Sequence, residues 1–211
     1  MHPNPAFRTT ELEQSLAFAR SRGFGVLALS TEGPPLISHV PFLLSEDGSS
    51  ADLHLVRSNP MARLLTTAKA AKLAVSGPDS YVSPDWYEID DQVPTWNYVA
   101  VHLTGSLEQL PQSEMPALLD RLSAHFEAQL LPKPAWTRDK MTPETFDRML
   151  RMIQPFRLRI DDVQSTWKLG QNKPVEARHA AATHMAAQSI GTQTRELAAL
   201  MHSPFSEPKK D

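Results

Sequence analysis

Val93-Pro94-Thr95-Trp96-Asn97-Tyr98-Val99-Ala100-Val101-His102, VPTWNYVAVH, changes character halfway along. From Tyr98 it alternates with a period of two, the pattern of a half-buried strand. Asn97, Val99, Val101 and Leu103 share one face, and Trp96, Tyr98, Ala100 and His102 share the other. The first face is apolar except at Asn97, the strand's mouth. An indole beside an amide at a barrel rim suits a planar heteroaromatic ligand, which it can stack on and hydrogen-bond. A core tryptophan beside a turn asparagine would look the same.

Working outward from the strand expected at 98–107, further strands are expected at 24–29, 36–44, 52–57 and 72–76. A last one at 156–160 runs on into 163–169. Pro41 implies an edge or a bulge in the second of them. Residues 77–96 read as one long loop, and loops of that length are often functional. Helices are expected at about 10–21, 113–131 and 142–153, and one opens at Pro60 with Asn59 as its N-cap. From Pro174 onward the chain is alanine-rich, helical in propensity and poorly patterned, ending in the polar SEPKKD. About six strands joined mostly by turns, not by regular crossover helices, predict a mostly β, α+β fold. The architecture expected is an antiparallel split β-barrel with peripheral helices.

The composition narrows the chemistry. The 211 residues contain no cysteine, which excludes disulfides, thiolate-bound zinc and cysteine nucleophiles. A net charge of -3 gives no general attraction for phosphate backbones. No apolar run approaches membrane-spanning length, so no membrane partner is expected and the cytoplasm is the expected location. The eight histidines form no metal signature: His39, His54 and His102 fall on three strands, and His179 and His184 point to different helix faces. No metal site and no catalytic residue is assigned. Glu88, Asp90 and Asp91 read as a solvated acidic rim.

Two stretches remain. The strand-to-helix junction LVRSNPMAR at 55–63 places Arg57, Ser58, Asn59 and Arg63 around a helix start, a plausible phosphate cradle or simply a well-capped helix. WKLGQNK at 167–173 puts an indole, the Lys168 cation and the amides of Gln171 and Asn172 just past the last strand. It is a second polar-aromatic strand end.

GPDSYVSPDWY, VPTWNYVAVHLTG and WKLGQNK, in that order and spacing, resemble the PaiB family of FMN-binding negative transcriptional regulators. HVPFLL at 39–44 and HLVRSNP at 54–60 agree with it. The resemblance covers most of residues 1–173. It implies an FMN-binding split barrel of the pyridoxamine-phosphate-oxidase-like kind, a homodimer with flavin at the subunit interface, and DNA as a possible partner. It also implies a phosphate held at Arg57, Ser58, Asn59 and Arg63, and an isoalloxazine lying near His39, Val40 and Pro41. Trp96, Asn97, Lys168, Gln171 and Asn172 would complete the site. The family usually has serine where this chain has Gly170. Residues 1–173 are thus expected to form the flavin domain, with a helical elaboration at about 113–153, and 174–211 a helical extension. Two other functions stay open: a flavin-dependent oxidoreductase acting on a small molecule, and a related barrel binding haem through His39 or His102.

Overall fold

The computed structural model describes residues 1–202; the polar tail at 206–211 lies outside the described residues. Seven strands and six α-helices follow one another along them. In chain order these are α1 (Leu12–Arg22), β1 (Phe24–Leu29), β2 (Leu36–Leu44), β3 (Ser50–Val56), α2 (Pro60–Leu64) and β4 (Lys69–Val82). Next come β5 (Thr95–Gln109), α3 (Met115–Glu127), α4 (Pro143–Leu150), β6 (Ile153–Lys168), α5 (Val175–Ala187), β7 (Gly191–Thr192) and α6 (Thr194–His202). The sheet order is β1-β2-β3-β6-β5-β4-β7, and β1 also pairs with β4, which closes six strands into the expected antiparallel barrel. No helix of the described residues is long and apolar enough to cross a membrane.

The chain divides into two compact units, each drawn from several segments. One comprises Leu16–Val75 and Leu103–Val163. Leu27, Leu29, Phe42, Leu53, Leu73, Leu103, Phe156 and Leu158 are among its fully buried strand residues. They alternate with outward neighbours because successive side chains of a strand point to opposite faces. Met115, Leu118 and Leu122 form one stripe of α3 and pack with Leu43, Leu119, Phe126, Leu150 and Ile153. Each fully buried leucine of this kind contributes about 1.5–3 kcal/mol. Gly105 is required where β5 meets β6, because a Cβ there would stand 1.8 Å from the Arg159 carbonyl oxygen.

The other unit comprises Met1–Ser15, Ser76–His102 and the chain from Gln164. Here α5 packs against α6 and against the 3-10 turn Pro84–Tyr87. Ala177, Ala181, Ala182 and Met185 are the buried face of α5, and Leu197, Ala198 and Met201 that of α6. The buried face of α5 is thus mostly alanine, which is why its sequence reads as poorly patterned.

Several expected boundaries are corrected. The long loop at 77–96 shrinks, because β4 continues to Val82 and β5 starts at Thr95. Asp79 pairs with Thr192 and Ser80 with Gly191, so a partner more than a hundred residues away extends β4 through turn-like sequence. The helix expected at 113–131 is α3 flanked by 3-10 turns at Gln112–Glu114 and Ala128–Leu130.

Candidate functional site

In the unit built on β1, β2 and β3, the junction after β3 is held by two side chains. Asn59 Oδ1 accepts from the Met61 amide at 2.9 Å, the N-cap the sequence predicts, with Pro60 following as the first helical residue. Its Nδ2 donates to Ser38 Oγ at 2.8 Å, which ties the junction to β2 one residue before His39. Arg57 is also committed: Nε donates to the Arg151 carbonyl at 2.7 Å and Nη2 to Gln112 Oε1 at 2.8 Å. Ser58 and Arg63 differ. Both are exposed, and neither side chain has a hydrogen-bond partner among the described residues. Because α2 is a single turn of five residues, its dipole adds little. Anything bound here would be met by side chains and not by a helix dipole.

The register of β2 explains what lies next to it. On one side β2 pairs with β1 from Leu36 to Pro41, Pro41 lying opposite Phe24 and His39 opposite Val26. On the other side it pairs with β3 only through Phe42, Leu43 and Leu44. Pro41 has no N–H to give, and the ladder to β3 ends beside it. Residues 36–41 therefore carry a strand on one side and none on the other. Val40 is buried, side chain and backbone together. His39 is exposed on the outer face and stacks on Phe24, with ring centroids 6.5 Å apart. Phe24 and Ile37 on that face are 52% and 59% exposed, so both present apolar surface to water beside His39.

The other unit holds the remaining predicted residues. Strand parity separates Trp96 from Asn97, so the two do not line one surface. Trp96 is half-exposed, makes an edge contact with Tyr81 at 6.3 Å, and borders a concavity of about 450 Å³ with Ser76, Asp79 and Tyr98. Asn97 is buried, its Nδ2 donating to Met201 Sδ at 3.4 Å, and its side chain also meets the Tyr87 hydroxyl. Lys168 donates to Thr95 Oγ1 and lies 5.8 Å from the Phe7 ring centroid. Burial first, and Lys173 second, push its pKa below the usual lysine value. Gln171 folds back onto its own turn, accepting from the Leu169 amide at 2.8 Å and donating to the Trp167 carbonyl at 2.6 Å. Asn172 is exposed and uncommitted among the described residues. Gly170 has φ +76°, and a Cβ there would make only ordinary contacts with Arg178, Asn97 and Met201. Its glycine answers a backbone need, not a shortage of space.

The uncommitted groups define what this arrangement can do. A guanidinium and a hydroxyl, Arg63 and Ser58, match a phosphate in charge and in donors. An open strand edge offers alternating amide donors and carbonyl acceptors, which suits the edge of a planar heterocycle. The donor set fits a flavin mononucleotide. Sequence reasoning missed Ser38, Phe24 and Ile37, since only the β1–β2 register shows which residues stand beside His39; Pro41 was the one local signal. No cluster of metal-ligating side chains occurs among the described residues.

Comparisons with known proteins agree with this chemistry. Residues 1–162 match the model of the FMN-binding domain family. A Bacillus subtilis protein, protease synthase and sporulation protein PAI 2, is 29% identical over 169 residues, covering 79% of this chain and 80% of the relative. An FAD- and haem-binding protein from Mycobacterium smegmatis has a similar fold, with a TM-score of 0.57 at 18% identity over 88% of this chain and 82% of its own. A flavocytochrome from Azotobacter vinelandii gives 0.53 at 10% identity over 91% and 81%. The chain belongs to the FMN-binding domain family, and FMN is its cofactor.

Proposed function

We propose that the protein is a cytoplasmic, FMN-binding negative regulator of transcription that holds its flavin at a homodimer interface. The observation that carries the flavin assignment is the open edge of β2 at 36–41, tied by Asn59 to a junction whose Ser58 and Arg63 are uncommitted. Ser58 and Arg63 hold the phosphate. His39, Val40 and Pro41 receive the ring along the strand edge. Arg57 and Asn59 act through the junction, holding it in shape. The other unit offers Trp96 as a stacking surface and Lys168, with Asn172, as charge and donors of the kind a flavin draws on. When bound, FMN supplies a ring that can accept one or two electrons.

The exposed Phe24 and Ile37 on the outer face of β1 and β2 support the dimer, since a second copy would remove them from water. The regulatory part rests on the resemblance to the PaiB regulators, with which the name of the Bacillus subtilis relative accords. With a net charge of -3, any DNA contact must come from a local patch and weaken steeply with salt.

Light scattering at micromolar concentration tests the dimer; a mass near one chain contradicts it. A DNA mobility-shift assay at stated salt, run beside an NAD(P)H oxidation assay, tests the output. Flavin-sensitive DNA retention supports regulation. Turnover of NAD(P)H without DNA retention favours the oxidoreductase.

A further inference from the structure

Within the unit that holds the junction, α3, α4 and the segment between them line a cavity of about 350 Å³, in the range of small-molecule sites. Trp136 and Phe146 supply aromatic walls, Leu119, Leu150 and Ile153 aliphatic ones, and Met141 and Met149 adaptable ones. The aromatic wall is anchored, because Glu127 Oε2 accepts from the Trp136 amide at 2.9 Å. The two charged residues of the lining answer each other. Arg138 lies 3.4 Å from Asp120 Oδ2, and its guanidinium stands 5.7 Å from the Phe146 ring centroid. An ion entering here would lose water and find no free counter-charge, so the lining selects a neutral occupant. At the mouth Val56, Met149 and Met152 are 48%, 52% and 62% exposed. Three apolar side chains fall well short of the about 800 Å² that each partner gives to a stable protein interface, which favours a small molecule over a docked protein.

One wall of the cavity is tied to the junction after β3. Gln112 Nε2 donates to the Leu150 and Ile153 carbonyls at 3.1 and 3.2 Å. Arg57 donates from Nε to the Arg151 carbonyl at 2.7 Å and from its amide to the Met152 carbonyl at 2.8 Å. Two residues thus hold four successive carbonyls, and Arg57 Nη2 joins them by donating to Gln112 Oε1 at 2.8 Å. Leu150, Met152 and Ile153 line the cavity, and Ser58 follows Arg57 directly.

We propose that the cavity binds a small, neutral, flat apolar molecule whose occupancy is felt at the flavin junction through the Gln112–Arg57 clamp. The coupling rests on the reading of that junction as part of the flavin site; the cavity does not. A body between Trp136 and Phe146 props Leu150, Met152 and Ile153 from within and steadies the carbonyls that orient Arg57. A junction already held in shape loses less freedom when flavin binds, so each ligand tightens the other.

Phenylnaphthylamine is neutral, and anilinonaphthalene sulfonate is the same body carrying a sulfonate. Equilibrium dialysis of each against FMN-saturated and flavin-free protein tests the proposal. The neutral probe should fill one saturable site per chain and bind about tenfold or more tighter than the sulfonate. FMN should tighten it by about two- to fivefold. Gln112→Leu should erase that FMN effect and leave probe affinity in the flavin-free protein unchanged. Ser123→Trp, which fills the cavity, should abolish probe binding; if that variant fails to fold, Met149→Asp at the mouth should weaken the probe about fivefold or more. No saturable binding, equal affinity for the sulfonate, or binding indifferent to these cavity substitutions would overturn the proposal. So would a probe affinity that FMN leaves unchanged, or a Ser123→Trp protein that has lost a dimer seen in the wild type, which would make the cavity a subunit contact. Riboflavin in place of FMN separates the two readings: tightening by both flavins keeps the coupled cavity and removes the phosphate assignment of Ser58 and Arg63.

Discussion

Asp52 on β3 and Arg63 on α2 lie eleven residues apart in sequence, and each belongs to an arginine-bearing region of one compact unit. Asp52 itself is fully answered. Arg157 grips it with Nε at 2.6 Å and Nη2 at 2.9 Å, and Arg121 Nη2 adds a third bond at 2.9 Å. The hydrogen bond to Asp52 is the main cause that raises the Arg157 pKa. At the junction after β3, by contrast, Arg57 is answered while Arg63 and Ser58 are not. The two regions separate two uses of arginine. A closed network holds strands together, and an open donor awaits a ligand. The consequence is that substitutions in the first should be read in stability and those in the second in affinity.

The largest expected effect breaks the closed network. Asp52→Ala leaves Arg157 and Arg121 facing a site from which their counter-charge is gone. The Asp52 side chain is 10% exposed and those of Arg157 and Arg121 are 30% and 48%, so water answers part of the loss. The cost should be about 2–3 kcal/mol in denaturant unfolding, with FMN affinity of the folded protein little changed. A substitution that weakened FMN but not the fold would reverse the assignment of the two regions.

Arg63→Ala should do the opposite. It should weaken FMN by about 1–2 kcal/mol, the range of a partly exposed charge-assisted hydrogen bond, and move stability by less than about 0.5 kcal/mol. Asn59→Ala falls between the two regions, since it removes both the cap and the bond to Ser38. It should cost about 1 kcal/mol of stability and also loosen FMN. An Asn59→Ala variant with native melting temperature would show that the link to β2 contributes nothing.

The parts of this contrast that sequence carried are local ones. Asn59-Pro60 announces a capped helix start, the alternation from Tyr98 announces a strand, and Pro41 announces an interrupted ladder. The commitment of Arg57 was not legible, because its acceptors, Arg151 and Gln112, lie 94 and 55 residues away. The extension of β4 was hidden for the same reason: Gly77-Pro78-Asp79 has the composition of a turn, and β7 is its distant partner. The α5–α6 pair was hidden differently. Its alanines are buried by the close approach of a neighbouring helix, and no row of large apolar side chains marks that face in the sequence. Strand parity did foretell that Trp96 and Asn97 diverge.

The smallest effect concerns His54, on β3 two residues from Asp52 and, unlike it, left with an unpartnered Nδ1 among the described residues. Burial pushes its pKa below 6.5. The unfolded chain takes up the proton near 6.5 while the folded chain resists it. Stability is therefore fully present above that pH and is lost as pH falls through the lower folded value. His54→Phe should flatten the acid side of a melting-temperature profile, by less than about 1 kcal/mol. Parallel profiles for wild type and variant would remove His54 from the acid response.

Whether the uncommitted donors at the junction hold a phosphate is tested most directly by titrating wild type and Arg63→Ala with FMN and with riboflavin, which lacks the phosphate. Wild type should bind FMN at least about tenfold more tightly than riboflavin, and Arg63→Ala should shrink that ratio toward one while leaving riboflavin affinity unchanged. Equal affinities for FMN and riboflavin in the wild type, or a ratio that Arg63→Ala leaves intact, would contradict it.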